Sequence, residues 1–93
     1  MKRKLISSTA FTRAARKYLK KRPNQTENLQ MCLLQLEEDA FQHSLRTHKL
    51  TGPLSDSWAA SAGYDLRIIF KFVKHEESEA ILLETVGTHD EVY

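Results

Sequence analysis

The 93-residue chain is short of the residues that mark specialised scaffolds, and each shortage excludes something. Its one cysteine, Cys32, cannot form an internal disulfide, which suits a reducing compartment. The three glycines, Gly52, Gly63 and Gly87, stand apart, so there is no glycine-rich loop to cradle phosphates. Apolar runs extend only a few residues, far below the roughly 20 needed to cross a bilayer. The basic amino end lacks the continuous apolar segment of a secretory signal. The histidines at 43, 48, 75 and 89 lack close ligand spacing and the lone cysteine has no partner, so no metal and no cofactor are expected. These absences leave a single cytoplasmic domain, with no linker or internal repeat to divide it.

What is present is an ordered charge pattern. Hydrophobic residues make up 41% and charged residues 28%, a balance that excludes disorder along the whole chain. The net charge is only +2, yet residues 1–22 hold nine Lys/Arg and no acid, whereas residues 75–93 hold six acids and no Lys/Arg. A segregated positive region suits a partner carrying phosphates or carboxylates; a solvated helix face would account for it equally.

Lys4 to Ser7 reads as a short first strand. Ser7 or Ser8 is placed to cap a helix running to about Arg22. Along it Phe11, Ala14, Ala15, Tyr18 and Leu19 form an apolar face. Arg13, Arg16, Lys17 and Lys20 repeat at i, i+3, i+4 and i+7 on the other side. After Pro23, Asn24 or Thr26 can cap a second helix reaching about Gln42, with a stripe of Leu29, Cys32, Leu33, Leu36 and Ala40. The two suggest an antiparallel helical hairpin.

Beyond residue 43 the periodicity shortens. A strand is expected over 57–62, a clear one over 65–74, a polar turn over 74–79, a second clear strand over 80–86 and a short tail over 88–93. Period-two alternation puts Leu66, Ile68, Phe70 and Phe72 under the helices and Asp65, Arg67, Ile69 and Lys71 on an open face. Arg67 there is either salt-bridged or available for chemistry. Trp58 and Tyr64 read as packing residues, and His43 and His75 as surface residues. His48, Asp65, Arg67 and His89 remain as polar groups with reactive potential near the sheet. Two imidazoles can supply a base and an acid, and an arginine can stabilise charge on a phosphorane, which suits attack of an RNA 2′-hydroxyl on its own phosphate.

The stretch LTGPLSDSWAASAGYDLRIIFKF, residues 50–72, resembles the L-x-G…W…(R/Y)-x-x-(Y/D)-x-R-I-x-(Y/F) signature of the RelE/ParE toxin superfamily. The ending GTHDEVY, residues 87–93, is similar to that of the YafQ-type branch, where G-T-H precedes a terminal aromatic. The resemblance implies a small α+β RelE-like fold: an N-terminal strand and helical hairpin on a twisted, mainly antiparallel sheet of about four strands. It also implies the toxin of a type II toxin–antitoxin system, a metal-independent endoribonuclease that cuts mRNA in the ribosomal A site. The toxin would be monomeric alone and hetero-oligomeric with its antitoxin. On that resemblance His89 takes the place of the C-terminal catalytic histidine, Asp65 of the catalytic aspartate and His48 of the histidine before L-x-G. Arg67 takes the place of the phosphate-stabilising arginine, and Tyr93 of the substrate-stacking aromatic. Lys49 and Lys71 either touch RNA phosphates or keep the fold soluble, and Arg13, Arg16, Lys17 and Lys20 would dock on 16S rRNA. The sequence departs from the YafQ pattern at Ser61, where the branch has a further histidine, and in a longer spacing from His48 to Trp58. The division of acid and base among His89, Asp65 and His48 therefore stays open. A ParE-like gyrase poison without nuclease activity, or an inactive antitoxin- or RNA-binding module, are the alternatives.

Overall fold

The computed structural model describes residues 2–63 and 65–93; the packing expected of Tyr64 lies outside them. Among the described residues, β1 (Lys4–Ser7) leads into α1 (Thr9–Lys21) and α2 (Thr26–Glu38). Then come β2 (His48–Lys49), β3 (Trp58–Ala62), β4 (Leu66–His75), β5 (Ser78–Gly87) and a short α3 (His89–Val92). The sheet has five strands in the order β1-β5-β4-β3-β2, parallel between β1 and β5 and antiparallel elsewhere. This is the expected α+β architecture with one strand more, because β2 is two residues long and too short to show a period.

Ser8 caps α1, its Oγ accepting from the Phe11 amide at 3.0 Å. A 3₁₀ turn at Pro23–Gln25 separates the helices. α2 starts at Thr26 but stops at Glu38, short of the expected Gln42. Asp39 there is extended, and its Oδ1 accepts from the Phe41 amide at 3.0 Å, a local bond that competes with the helix. Helix α1 lies over β5 and α2 over β3. Phe11, Tyr18, Leu29, Cys32 and Leu36 meet Leu66, Ile68 and Phe70 in one core, as the alternation predicts. Burial pushes the Cys32 thiol up to about 11, so it is an inert core group. Trp58 packs edge-on against Phe41 and Phe72, at ring separations of 5.5 and 5.4 Å.

Strand β5 contains a bulge. Ile69 pairs with Thr85 and Phe70 with Leu83, leaving Glu84 as the extra residue. Strict alternation would send Val86 to the face opposite Ile81 and Leu83; the bulge brings all three into the core. It also turns Glu84 toward Ser57, whose Oγ donates to its Oε1 at 2.6 Å, and toward Lys71 Nζ at 3.6 Å.

The β4–β5 hairpin closes through Glu76 and Glu77 between the paired His75 and Ser78. Both turn residues have positive φ, 50° and 67°, the geometry that Asn-Gly satisfies best. Replacing Glu76-Glu77 with Asn-Gly should stabilise the domain by about 1 kcal/mol, a rise of roughly 4–8 °C in a thermal melt. An unchanged or lowered melting temperature would show that this turn carries no backbone strain.

Candidate active site

Six side chains from four parts of the fold line an open cleft of about 450 Å³: Arg46, His48, Ser61, Arg67, His89 and Tyr93. The sheet register explains how Arg67 reaches it. Arg67 pairs with Ser61 on β3 and Gly87 on β5, so a small residue flanks it on each side. One guanidinium N–H donates to the Leu66 carbonyl at 3.2 Å. His48 arrives on the edge strand β2, while His89 and Tyr93 arrive on α3.

Segment 88–93 is thus a capped helical turn rather than the expected tail. The Glu91 amide bonds Thr88 Oγ1 at 3.3 Å and Glu91 Oε1 accepts from the Thr88 amide at 2.9 Å, a reciprocal capping box. The Thr88-x-x-Glu91 spacing was a legible signal for it. Asp65 Oδ1 accepts from the His89 amide at 3.1 Å. Gly87 lets the turn fold back on the strand: a Cβ there would lie 3.0 Å from Glu91 Oε1 and 3.1 Å from Glu91 Cβ. The Thr88 amide chiefly, with the Arg22 and Lys21 charges, holds the Glu91 carboxyl below its usual range, outweighing the desolvation that raises it. Arg22 Nη1 is 3.8 Å from Glu91 Oε1, and its guanidinium lies 4.6 Å over the Tyr18 ring.

Hydrogen bonding defines the histidine tautomers. His48 Nδ1 lies 2.9 Å from the Arg46 carbonyl oxygen. A carbonyl only accepts, so Nδ1 carries the hydrogen and neutral His48 keeps a bare Nε2. His89 Nδ1 faces Asp90 Oδ1 at 3.4 Å, which favours the same tautomer. The His89 and Tyr93 rings lie 4.7 Å apart, one helical turn from each other. Burial raises the Tyr93 phenol, and the nearby Arg67 charge pulls the other way.

Not every expected residue joins this cleft. Asp65 lines another one of about 340 Å³ with Tyr18, Arg22, Asn24, Gln25 and Thr88, and is tied to the first by the bond from the His89 amide. Lys49 is exposed beside His48 on β2 but is not among the lining residues. Lys71 shares the Arg67 face of β4, four residues along, where it pairs with Glu84. Arg13, Arg16, Lys17 and Lys20 are all exposed along α1, and none forms an ion pair among the described residues. Arg46 was missed by sequence reasoning: its only signal was a position two before His48. No group of three or more His, Cys, Asp or Glu among the described residues could hold a metal ion. No helix among them is long and apolar enough to cross a membrane.

No family model matches the chain, and no curated protein matches it in sequence. Solved structures do match in fold. YafQ from Escherichia coli superposes with a TM-score of 0.78 at 17% identity, over 98% of each chain. In the E. coli DinJ–YafQ toxin–antitoxin complex the TM-score is 0.76 at 18% identity, over 100% of this chain and 99% of that one. A YoeB/ParE toxin from Agrobacterium tumefaciens gives 0.73 at 10% identity, over 92% of this chain and 98% of that one. The chain therefore has the RelE-like fold of these toxins.

Three outcomes follow for α3. Gly87→Ala should loosen it, read as faster hydrogen exchange at the amides of 88–93 with the sheet amides unaffected; unchanged exchange would refute the close approach. Because the Glu91 carboxyl is depressed in the folded state, its contribution is complete above the ordinary carboxylate range and is lost as pH falls through the depressed value. Acidification should thus release α3 before the sheet unfolds, and Glu91→Gln should weaken docking already at neutral pH. An NMR titration following the Tyr93 ring tests both.

Proposed function

We propose that this chain is the toxin of a type II toxin–antitoxin pair and acts as a ribosome-dependent mRNA endoribonuclease. The observation that carries this reading is the convergence of His48, Arg67 and the His89–Tyr93 turn, three separate parts of the chain, on one open cleft. In the proposed reaction the RNA 2′-oxygen attacks the adjacent phosphorus while the bond to the 5′-oxygen breaks. The products are a 2′,3′-cyclic phosphate and a 5′-hydroxyl. One neutral imidazole takes the 2′-hydroxyl proton and the other, protonated, gives one to the departing 5′-oxygen, so the rate should be bell-shaped in pH. Arg67 stabilises charge on the phosphorane. Tyr93 offers a face on which a base stacks. The step requires no metal or other cofactor.

Asp65 then contributes by holding the amide of His89 rather than by moving a proton, which leaves His48 and His89 as the acid–base pair. Ser61 contributes no ionisable group to the cleft. Arg13, Arg16, Lys17 and Lys20 supply the docking surface for 16S rRNA, in a contact that weakens with salt. Lys71 and Lys49 extend the positive surface along the mRNA path. A cognate antitoxin neutralises the toxin in the cytoplasm, as DinJ is found with YafQ. The apolar groove of about 380 Å³ along Leu5, Leu33 and Leu34 suits an amphipathic antitoxin segment that orders on binding.

Primer extension on a defined mRNA in a purified translation system tests the reading. Wild-type protein should cut inside codons only when ribosomes are present. His89→Ala and His48→Ala should each lower cleavage about 100-fold or more while keeping the fold. Asp65→Asn should reduce it less, because the amide oxygen still accepts from His89. Absence of cuts together with gyrase-dependent DNA breaks would replace this reading with that of a ParE-like gyrase poison.

A further inference from the structure

The cleft holds a second guanidinium, Arg46, to which the reaction above gives no role. Arg46 ends the 3₁₀ turn His43–Leu45 with left-handed backbone angles, φ 49° and ψ 40°. Such angles suit glycine or asparagine and are unfavourable for a long side chain. The buried Leu45 anchors the turn from the inside, and the Arg46 amide closes it by donating to the His43 carbonyl at 3.2 Å. The backbone of residue 46 also orients His48, through the carbonyl that accepts from Nδ1. A glycine would perform every one of these backbone tasks with less strain. What only arginine adds is the cation, and it stands in the cleft with no acidic partner among the described residues.

We infer that Arg46 is a second phosphate-binding residue, its guanidinium contacting a non-bridging oxygen of the scissile phosphodiester. The inference rests on the endoribonuclease reading and deepens it. A pentavalent phosphorane carries negative charge on two non-bridging oxygens, and Arg67 alone, rising from β4, would leave one of them to water. Arg46 approaches from the separate turn before β2 and so supplies a charge-assisted donor from another direction. The Ser61 hydroxyl in the same cleft can donate a neutral hydrogen bond but no charge. One residue thereby serves both reacting groups: its carbonyl orients the His48 imidazole and its side chain holds the phosphate.

The test is single-turnover cleavage on ribosomes programmed with mRNA, at saturating toxin, for wild type, Arg46→Gly, Arg46→Asn and Arg46→Lys. Each is run with an ordinary scissile phosphate and with the two phosphorothioate diastereomers. Glycine and asparagine accept the left-handed backbone, so the turn and the His48 orientation survive in both, and circular dichroism melts should stay near that of wild type. The expected result is a loss of about 10- to 100-fold for Arg46→Gly and Arg46→Asn, with partial recovery in Arg46→Lys. Sulfur on the contacted oxygen should slow wild type for one diastereomer, and that penalty should shrink once the guanidinium is gone. Wild-type rates in Arg46→Gly would overturn the inference, as would lost activity with the sulfur penalty intact. Cuts by wild type in either case would leave the nuclease reading standing. No cuts by wild type at all would remove that reading, and this inference with it.

Discussion

Strand β5 pairs with β1 on one side and β4 on the other, and everything after it depends on the one extra residue it carries at Glu84. Without that bulge the Phe70–Leu83 register would continue so that Val86 stood beside Arg67 and Thr85 faced the core beside Ile68. A one-residue slip exchanges the faces of every later side chain. With the bulge, Val86 seals the core and Gly87 lies next to Arg67. The chain therefore leaves the sheet at a residue without a side chain, on the side where α3 can fold back. His89 and Tyr93 reach the cleft because of a register decision made several residues earlier.

The second organising feature is the separation of charges around α3. Asp65 and Glu91 accept backbone amides, from His89 and Thr88 respectively, and neither lines the cleft. Acids placed there would repel a phosphodiester; as amide acceptors they fix α3 while the cleft itself keeps Arg46 and Arg67. Glu91 is held by local bonds and by the Arg22 and Lys21 charges, so α3 is an appendage of helix α1's end as well as of the sheet. Local bonds on an exposed turn are weak individually, which makes this element easier to detach than any strand.

Much of the architecture was legible because it arises from short-range periodicity. The Ser8 cap, the two faces of α1, the core face of Leu66, Ile68 and Phe70, and the long hairpin all follow from spacing that neighbours alone enforce. The elements that were misread are those where a local competitor intervenes. Asp39 ended α2 early by bonding the Phe41 amide, and Thr88 with Glu91 turned an expected tail into helix. The edge strand β2, two residues long, forms only because β3 offers it a ladder. No periodicity can foretell such an element.

For the site, residue types and one family resemblance singled out His48, Arg67, His89 and Tyr93, since imidazole, guanidinium and phenol have recognisable chemistry wherever they occur. Their meeting in one cleft was a tertiary outcome. Asp65 lies beside Arg67 by sequence and His89 24 residues away, yet the strand ends bring the carboxylate to an amide rather than to the open cleft. Arg46 carried no distinguishing pattern; only the turn that holds it left-handed put its guanidinium among the others. The sequence by itself determined the two long helices, the long hairpin, the core face of β4 and the chemical vocabulary, because those depend on side-chain character and nearest neighbours. Tertiary structure alone decided which polar groups share a space, because a bulge, a cap and an edge pairing redirect side chains across distances that local spacing does not encode.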